Sequence, residues 1–134
     1  MAEMKPQART IILADQVYRD AETGKCIIAG TFNRIEADRF PATHPSAALY
    51  LNLTDFVGKV EVKIRIVRDA TGEALAEKAF PVESKDRLAA CEVTVRLANL
   101  TFEKPGKYSI EVHCEDEYLG RLPLELVHHA PPKE

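Results

Sequence analysis

Apolar and polar residues alternate with a period of two along most of this chain, and this alternation limits its fold to β-strands. Between Val60 and Val67, Val and Ile residues occupy every second position, and Glu, Lys and Arg lie between them. No segment keeps the spacing of an amphipathic helix over several turns. One apolar and one polar face per strand is typical of antiparallel sheets that cover a core. Strands are predicted at residues 10–17, 25–35, 47–53, 60–67, 74–82, 91–97, 108–114 and 118–127.

Short turn sequences separate these strands. Residues 20–25 and 69–73 both contain Asp-Ala followed by Thr-Gly, and residues 104–107 have the sequence Lys-Pro-Gly-Lys. Glycine supplies the positive φ angles that tight hairpins need. Short strands at a spacing of about 8–12 residues predict an all-β fold, a single immunoglobulin-like antiparallel β-sandwich of about seven to nine strands.

The boundaries of this domain follow from the first and last alternating segments. The sandwich is predicted to span residues 10–127, between an N-terminal tail (1–9) and a C-terminal tail (128–134). Residues 36–46 contain two prolines and His44, and they are predicted to form an irregular crossover between the sheets.

The charge and cysteine content narrow the possible partners and compartments. The 134 residues include 18 basic and 21 acidic side chains, a net charge of −3. A nucleic-acid or anionic-membrane binder normally carries a basic excess, so neither partner is expected. We find no apolar run long enough to cross a bilayer and no hydrophobic signal segment near the first residues. The three cysteines match no disulfide or zinc spacing, which favours a cytoplasmic protein with reduced thiols.

The turn and core residues are similar to those of a known family. They are Asp15…Tyr18-Arg19-Asp20…Thr23-Gly24-Lys25…Gly30-Thr31-Phe32…Ile35…Phe40-Pro41…His44 and Pro105-Gly106-Lys107-Tyr108…Val112. This pattern resembles an uncharacterised bacterial family of small immunoglobulin-like β-sandwich proteins, over about residues 10–127. The resemblance implies the sandwich fold. It implies no activity and no catalytic residue, because none is assigned to that family.

The cysteines and histidines are the first candidates for chemistry. Cys26, Cys91 and Cys114 all lie in phase with apolar residues, so core thiols are favoured over a nucleophile or metal ligands. A zinc site needs three or four converging ligands. His113 lies on the polar side of its strand, and the adjacent His128 and His129 would point to opposite faces. A metal site is therefore not expected, and no cofactor is predicted.

Three other motifs admit a binding interpretation. Thr23-Gly24-Lys25 lacks the first glycine and the hydroxyl residue of a phosphate loop, so a hairpin turn is expected. Residues 115–117 (Glu-Asp-Glu) could bind calcium, but a solvated hairpin tip is favoured. A sugar-binding platform would need exposed aromatic rings. The chain has no Trp, and the tyrosines outside the predicted core are Tyr18, Tyr50 and Tyr118.

With no converging catalytic set, we expect a non-enzymatic cytoplasmic module that mediates protein–protein interaction. The alternative is a ligand-binding or metal-binding protein, or an enzyme, that uses residues 36–46 and His44. The first predicted strand bears on the partner, because residues 11–14 (Ile-Ile-Leu-Ala) are apolar on both faces. This strand is either buried beneath the crossover or pairs with another chain, such as a second copy in a homodimer.

Overall fold

The computed structural model describes residues 5–129, and it confirms the all-β fold. Nine strands form in this part of the chain. They are β1 (Gln7–Arg19), β2 (Cys26–Thr31), β3 (Arg34–Ala37), β4 (Ala42–Thr54), β5 (Gly58–Arg68), β6 (Ala74–Ser84), β7 (Cys91–Phe102), β8 (Gly106–Cys114) and β9 (Glu117–His128). No helix able to span a membrane occurs among these residues.

The strands form two sheets. One has four strands in the order β2-β1-β4-β7, and the other has five in the order β3-β9-β8-β5-β6. The neighbours are antiparallel except β3 and β9, which run parallel. The sheets approach each other along β1 and β9 on one side and along β6 and β7 on the other. The sandwich therefore has two open sides, each bounded by strands from different sheets.

The predicted inward-facing residues fill the space between the sheets. On β5, Val60, Val62, Ile64 and Ile66 are all buried. The partners from the other sheet are buried as well, and they include Leu49, Leu51, Leu53, Val95, Leu97 and Phe102. Burying one such side chain contributes about 1.5–3 kcal/mol to the free energy of folding. The alternating pattern thus supplies the main stabilisation.

The single strand predicted at residues 25–35 is wrong, because this segment forms β2 in one sheet and β3 in the other. Gly30 has a φ of 75°, and a Cβ there would lie 2.5 Å from Asp15 Oδ2. The pairing with β1 continues past Gly30, where Thr31 pairs with Ala14 and the Phe32 N–H donates to the Leu13 carbonyl; the chain then turns, and the Asn33 carbonyl accepts from the Glu125 N–H. The chain thus leaves β1 and joins β9 within two residues.

The irregular crossover predicted at residues 36–46 is also wrong in its extent. Residues 36–37 end β3 and residues 42–46 begin β4, so only residues 38–41 connect the two sheets. Pro45 does not prevent pairing, since Ser46 pairs with Ala98 and His44 with Leu100.

The tails are shorter than predicted where the structure describes them. β1 begins at Gln7 and β9 ends at His128, so residues 7–9 and 128 lie in the sheets. The Arg9 guanidinium holds the start of β1 by donating to Thr54 Oγ1 and Asp55 Oδ2, each at 3.0 Å. Of the other residues in the two predicted tails, 1–4 and 130–134 lie outside the described residues.

Candidate functional site

The cysteine thiols lie apart from one another and are free. Cys114 is buried, and this burial, with smaller effects of Glu115 and Glu117, raises the pKa of its thiol to about 11. Burial also raises the pKa of the Cys91 thiol. A raised pKa keeps a thiol protonated at neutral pH, which is the opposite of what a nucleophile requires. Cys26 is half-buried on β2.

Two of the histidines lie in the interior of their sheets. His44 is in β4, where its ring packs on Phe32 with centroids 5.4 Å apart, and its buried Nε2 has no partner among residues 5–129. His113 Nε2 lies 3.0 Å from Glu111 Oε1, and its ring meets the Tyr118 ring edge-on. His44 therefore lies in a strand and not in the predicted crossover loop.

The other two histidines lie at the end of β9. His128 Nε2 donates to the Asp38 carbonyl at 3.0 Å, and the His129 N–H donates to the Ala37 carbonyl. Both contacts fasten the end of β9 beside β3. The described part of the chain contains no group of three His, Cys, Asp or Glu side chains that could hold a metal ion.

The acidic tip at residues 115–117 forms the turn between β8 and β9. Glu115 and Asp116 both have positive φ angles, as in a tight hairpin. Glu115 Oε1 accepts from the Glu61 N–H at 2.8 Å, and Asp116 lies 4.0 Å from Lys63 Nζ. Glu115 and Asp116 therefore already bind groups of the neighbouring strand β5.

The Thr23-Gly24-Lys25 segment forms the predicted hairpin turn between β1 and β2. Asp20 Oδ1 accepts from the N–H groups of Thr23 and Glu22 at 2.8 and 2.9 Å, and these bonds hold the pKa of Asp20 below its usual value. Gly24 has the positive φ that such a turn needs.

A row of alternating charges crosses the outer face of the five-stranded sheet. The register places Arg121, Glu111, Arg65 and Glu77 side by side on β9, β8, β5 and β6. Arg65 lies 3.1 Å from Glu77 and 3.5 Å from Glu111. Cross-strand pairs of opposite charge stabilise a sheet, and this row explains why the face is polar. Sequence reasoning missed it, because the row depends on strand register.

The outer face of the four-stranded sheet holds a polar pair of which only Tyr50 is buried. The Tyr50 hydroxyl donates to Glu92 Oε2, and this bond, with burial, raises the pKa of Tyr50 to about 12. Tyr50 is 7% exposed, so it is not a sugar-stacking surface. Tyr18 and Tyr118 are more than half exposed, but they lie on different sheets.

A notch on the open side between β1 and β9 combines apolar side chains with an unpaired strand. We call it the β1 notch, a cavity of about 380 Å³. It is lined by Ile11, Ile12, Leu13, Thr31, Phe32, Asn33 and Leu122. Leu13 is buried, whereas Ile11 and Ile12 remain partly exposed. The apolar residues of the first predicted strand are therefore only in part covered by the chain itself.

The backbone of β1 beside this notch is available for pairing. β2 pairs with β1 only from Ala14 onward, and one further bond joins the Phe32 N–H to the Leu13 carbonyl. Main-chain groups of alternate residues point to the same side of a strand, so those of Ile11 also face away from β4. No strand within residues 5–129 pairs with residues 7–12 on this side.

A comparison with one solved structure supports the fold. The Pseudomonas fluorescens alkylpurine DNA glycosylase AlkC bound to DNA containing an abasic site analog is similar at a TM-score of 0.54 and 15% identity, over 92% of this chain and 31% of that one. A Listeria innocua β-glucosidase in complex with isofagomine has a TM-score of 0.49 and 11% identity, over 96% of this chain and 17% of that one. The chain thus spans less than a third of either protein.

The sequence comparisons give the family. No curated protein matches the chain. The model of a family of unknown function, DUF6941, matches residues 9–127. Since this match covers nearly all of the sheet-forming residues, the chain belongs to the family of unknown function DUF6941.

Proposed function

We propose that this chain is a non-enzymatic interaction module that binds an extended segment of another protein as an added strand beside β1. The observation that supports this is the free side of β1 next to the apolar β1 notch. In strand addition, main-chain hydrogen bonds give affinity, and pockets for alternate side chains give specificity. The unpaired main chain of β1 supplies the hydrogen-bonding groups, and the β1 notch beside it supplies the pocket for side chains.

The free-energy contributions to binding favour a partner segment that has apolar side chains at alternate positions. Each main-chain hydrogen bond contributes about 0.5–1.5 kcal/mol, and an apolar side chain buried over Ile11 and Leu122 contributes about 1.5–3 kcal/mol. Ordering the segment opposes both. Hydrogen bonds alone would therefore give weak binding, so side chains that fill the β1 notch determine which segment binds.

The proposal includes the compartment and the type of sandwich. We place the protein in the cytoplasm, and the three free cysteines support this because thiols stay reduced there. We also assign the sandwich to the immunoglobulin-like class. In support, β4 and β7 are neighbours in one sheet, although β5 and β6 of the other sheet lie between them in sequence.

The test compares two substitutions at Ile11. Ile11→Pro removes the N–H that faces the added strand, whereas Ile11→Ala keeps it and loses similar side-chain contacts. The full-length protein is used to select binders from a displayed library of random nonapeptides. We expect enriched peptides with apolar residues at every second position, bound by the wild type and by Ile11→Ala but not by Ile11→Pro.

A second measurement keeps the test decisive if Ile11→Pro does not fold. Amide hydrogen exchange of the wild type should show slower exchange at Ile11 when an enriched peptide is bound. Enrichment of no peptide, or binding that leaves the Ile11 amide unprotected, would refute strand addition at β1. A dimer in sedimentation equilibrium that Ile11→Pro dissociates would instead identify a second copy as the occupant and overturn the assignment to a different protein.

A further inference from the structure

A second apolar depression lies on the opposite open side of the sandwich, between β6 and β7. We call it the β6–β7 groove, with a volume of about 310 Å³. Its lining combines the core residues Ile64, Ile66, Leu97 and Leu100 with Ala76 and Ala98 and with the charged residues Glu77, Lys78 and Arg96. A mostly apolar pocket with a few polar groups at one end is the usual form of a small-molecule site.

The groove exists because small side chains occupy the strand edges that border it. Ala76 on β6 and Ala98 on β7 leave the core residues behind them within reach from the surface. Larger residues at these two positions would close the gap between the sheets. Leu97 and Leu100 are among the core residues that line the space, and the Lys78 side chain reaches across it.

Lys78 places a positive charge over this apolar floor. It pairs with Ile64 in the β5–β6 register, so it occupies an inward-facing position of β6. Its Nζ lies 3.3 Å from the Arg96 carbonyl, at the opposite lip of the groove. The aliphatic part of a lysine can cover apolar surface while its ammonium stays at the water boundary.

The positive charge of Lys78 at the lip of the groove is not neutralised by the neighbouring Glu77. Glu77 is engaged by Arg65 at 3.1 Å on the outer face of the sheet. Lys78 and Arg96 have no carboxylate within 4.0 Å among residues 5–129. The groove therefore presents an apolar floor below one cation, the Lys78 ammonium, whose charge no carboxylate of residues 5–129 neutralises. Arg96 contributes its main-chain carbonyl to the lip, because it pairs with Ala48 and its side chain lies on the outer face of the four-stranded sheet.

We propose that the β6–β7 groove binds a medium-chain free fatty acid. Its carboxylate would bind the Lys78 ammonium, and its hydrocarbon chain would lie between Ala76 and Ala98 on the apolar floor. The Lys78 ammonium has three N–H donors, so it can bind the carboxylate and keep its bond to the Arg96 carbonyl. This inference is independent of strand addition, because the β1 notch lies on the other side of the sandwich.

The test is a titration of the full-length protein with hexanoate, octanoate and decanoate, followed by the methyl NMR signals of Ile64 and Leu100. Affinity should rise about fourfold per added methylene, the factor expected for apolar burial. Octanol, which has the same chain length and no charge, should bind at least tenfold more weakly than octanoate.

Lys78→Met keeps the aliphatic stem and removes the charge, so it should abolish the preference for octanoate over octanol. Lys104→Met, at an exposed turn, is the matched control and should leave that preference unchanged. Ala76→Leu should weaken octanoate and octanol binding alike by filling the groove.

Three results would overturn the proposal. The first is equal binding of octanoate and octanol by the wild type. The second is retention of the carboxylate preference in folded Lys78→Met, which would leave Lys78 only the role of an inward charge that protects a strand edge. The third is a peptide with a C-terminal Leu binding the groove more tightly than decanoate, which would assign the site to protein C-termini.

Discussion

Replacement of Gly30 by alanine tests the positive φ angle that the chain adopts near the end of β2, opposite Asp15 of β1. Gly30 has a φ of 75°, a conformation that costs an L-residue roughly 1–2 kcal/mol. The new Cβ would also lie 2.5 Å from Asp15 Oδ2 and 3.2 Å from Asp15 Cβ. The carboxylate end can rotate away, but the Asp15 Cβ is fixed to β1. We therefore expect Gly30→Ala to lower the free energy of unfolding by about 1.5–3 kcal/mol.

A double-mutant cycle separates the two causes of this loss. Asp15→Ala alone should change stability by less than about 0.5 kcal/mol, because Asp15 is exposed. In the Gly30→Ala background, Asp15→Ala should restore only the part due to the contact, about 0.5–1 kcal/mol. The strain of the positive φ should remain.

Urea unfolding of the four proteins, monitored by circular dichroism, gives the required free energies. A loss of unfolding free energy below about 0.5 kcal/mol in Gly30→Ala would contradict the expected cost of a positive φ at this position. Full recovery in the double mutant would show that the contact with Asp15, and not the backbone angle, makes glycine necessary at this position.

Three further predictions concern single groups. The Cys114 thiol should react slowly with a thiol reagent at pH 8 in the native protein and quickly in urea, because burial raises its pKa to about 11. The Thr54 hydroxyl donates to Asp55 and holds the pKa of that carboxyl below its usual value, so the ionised Asp55 stabilises the fold fully above about pH 4 and loses this effect as the pH falls through the lowered pKa. Thr54→Val should therefore reduce the loss of stability in acid, as measured by urea unfolding at several pH values. Arg65→Met should lower the free energy of unfolding by about 0.5–2 kcal/mol, less in high salt, since it removes the pairs with Glu77 and Glu111.

The strands whose two faces differ most were predictable from the sequence. The segment predicted at residues 60–67 is β5 (Gly58–Arg68), and the segment at 108–114 is β8 (Gly106–Cys114). Each of these strands has a core on one face and water on the other, so polarity records the direction of each side chain. The all-β class follows from such strands, because no other structure repeats every two residues.

The division of residues 25–35 was harder to predict, because a period of two does not report which sheet a strand joins. Ile28 and Phe32 share one phase, but Ile35 follows after three residues and lies in the other phase. That change of phase marks the place where the chain leaves β2 for β3. This change of phase is the sequence signal from which the passage between the two sheets could have been predicted.

The candidate binding surfaces depend on register, which the sequence does not state. Lys78 is charged, and its inward position appears only when β6 is aligned with β5. The free side of β1 likewise appears only when β2 is seen to pair from Ala14 onward. In both places, the position of a residue relative to the neighbouring strand, and not its type, determines whether it belongs to a candidate binding surface.

The two open sides of the sandwich differ in how their strand edges are protected. On one side, Lys78 and Pro81 in β6 oppose pairing with another chain, since an inward charge and a missing N–H are common protections of an edge. On the other side, β1 exposes part of Ile11 and Ile12 beside unpaired main-chain groups, and residues 10–12 contain no charge and no proline, since the charged Arg9 and the β-bulge lie before them. Strand addition is therefore expected at β1 and not at β6. If both proposals are correct, Ile11→Pro should abolish peptide binding without changing octanoate affinity, and Lys78→Met should have the reverse effects. A variant that changed both activities would show that the two sides of the sandwich are coupled through the core between them.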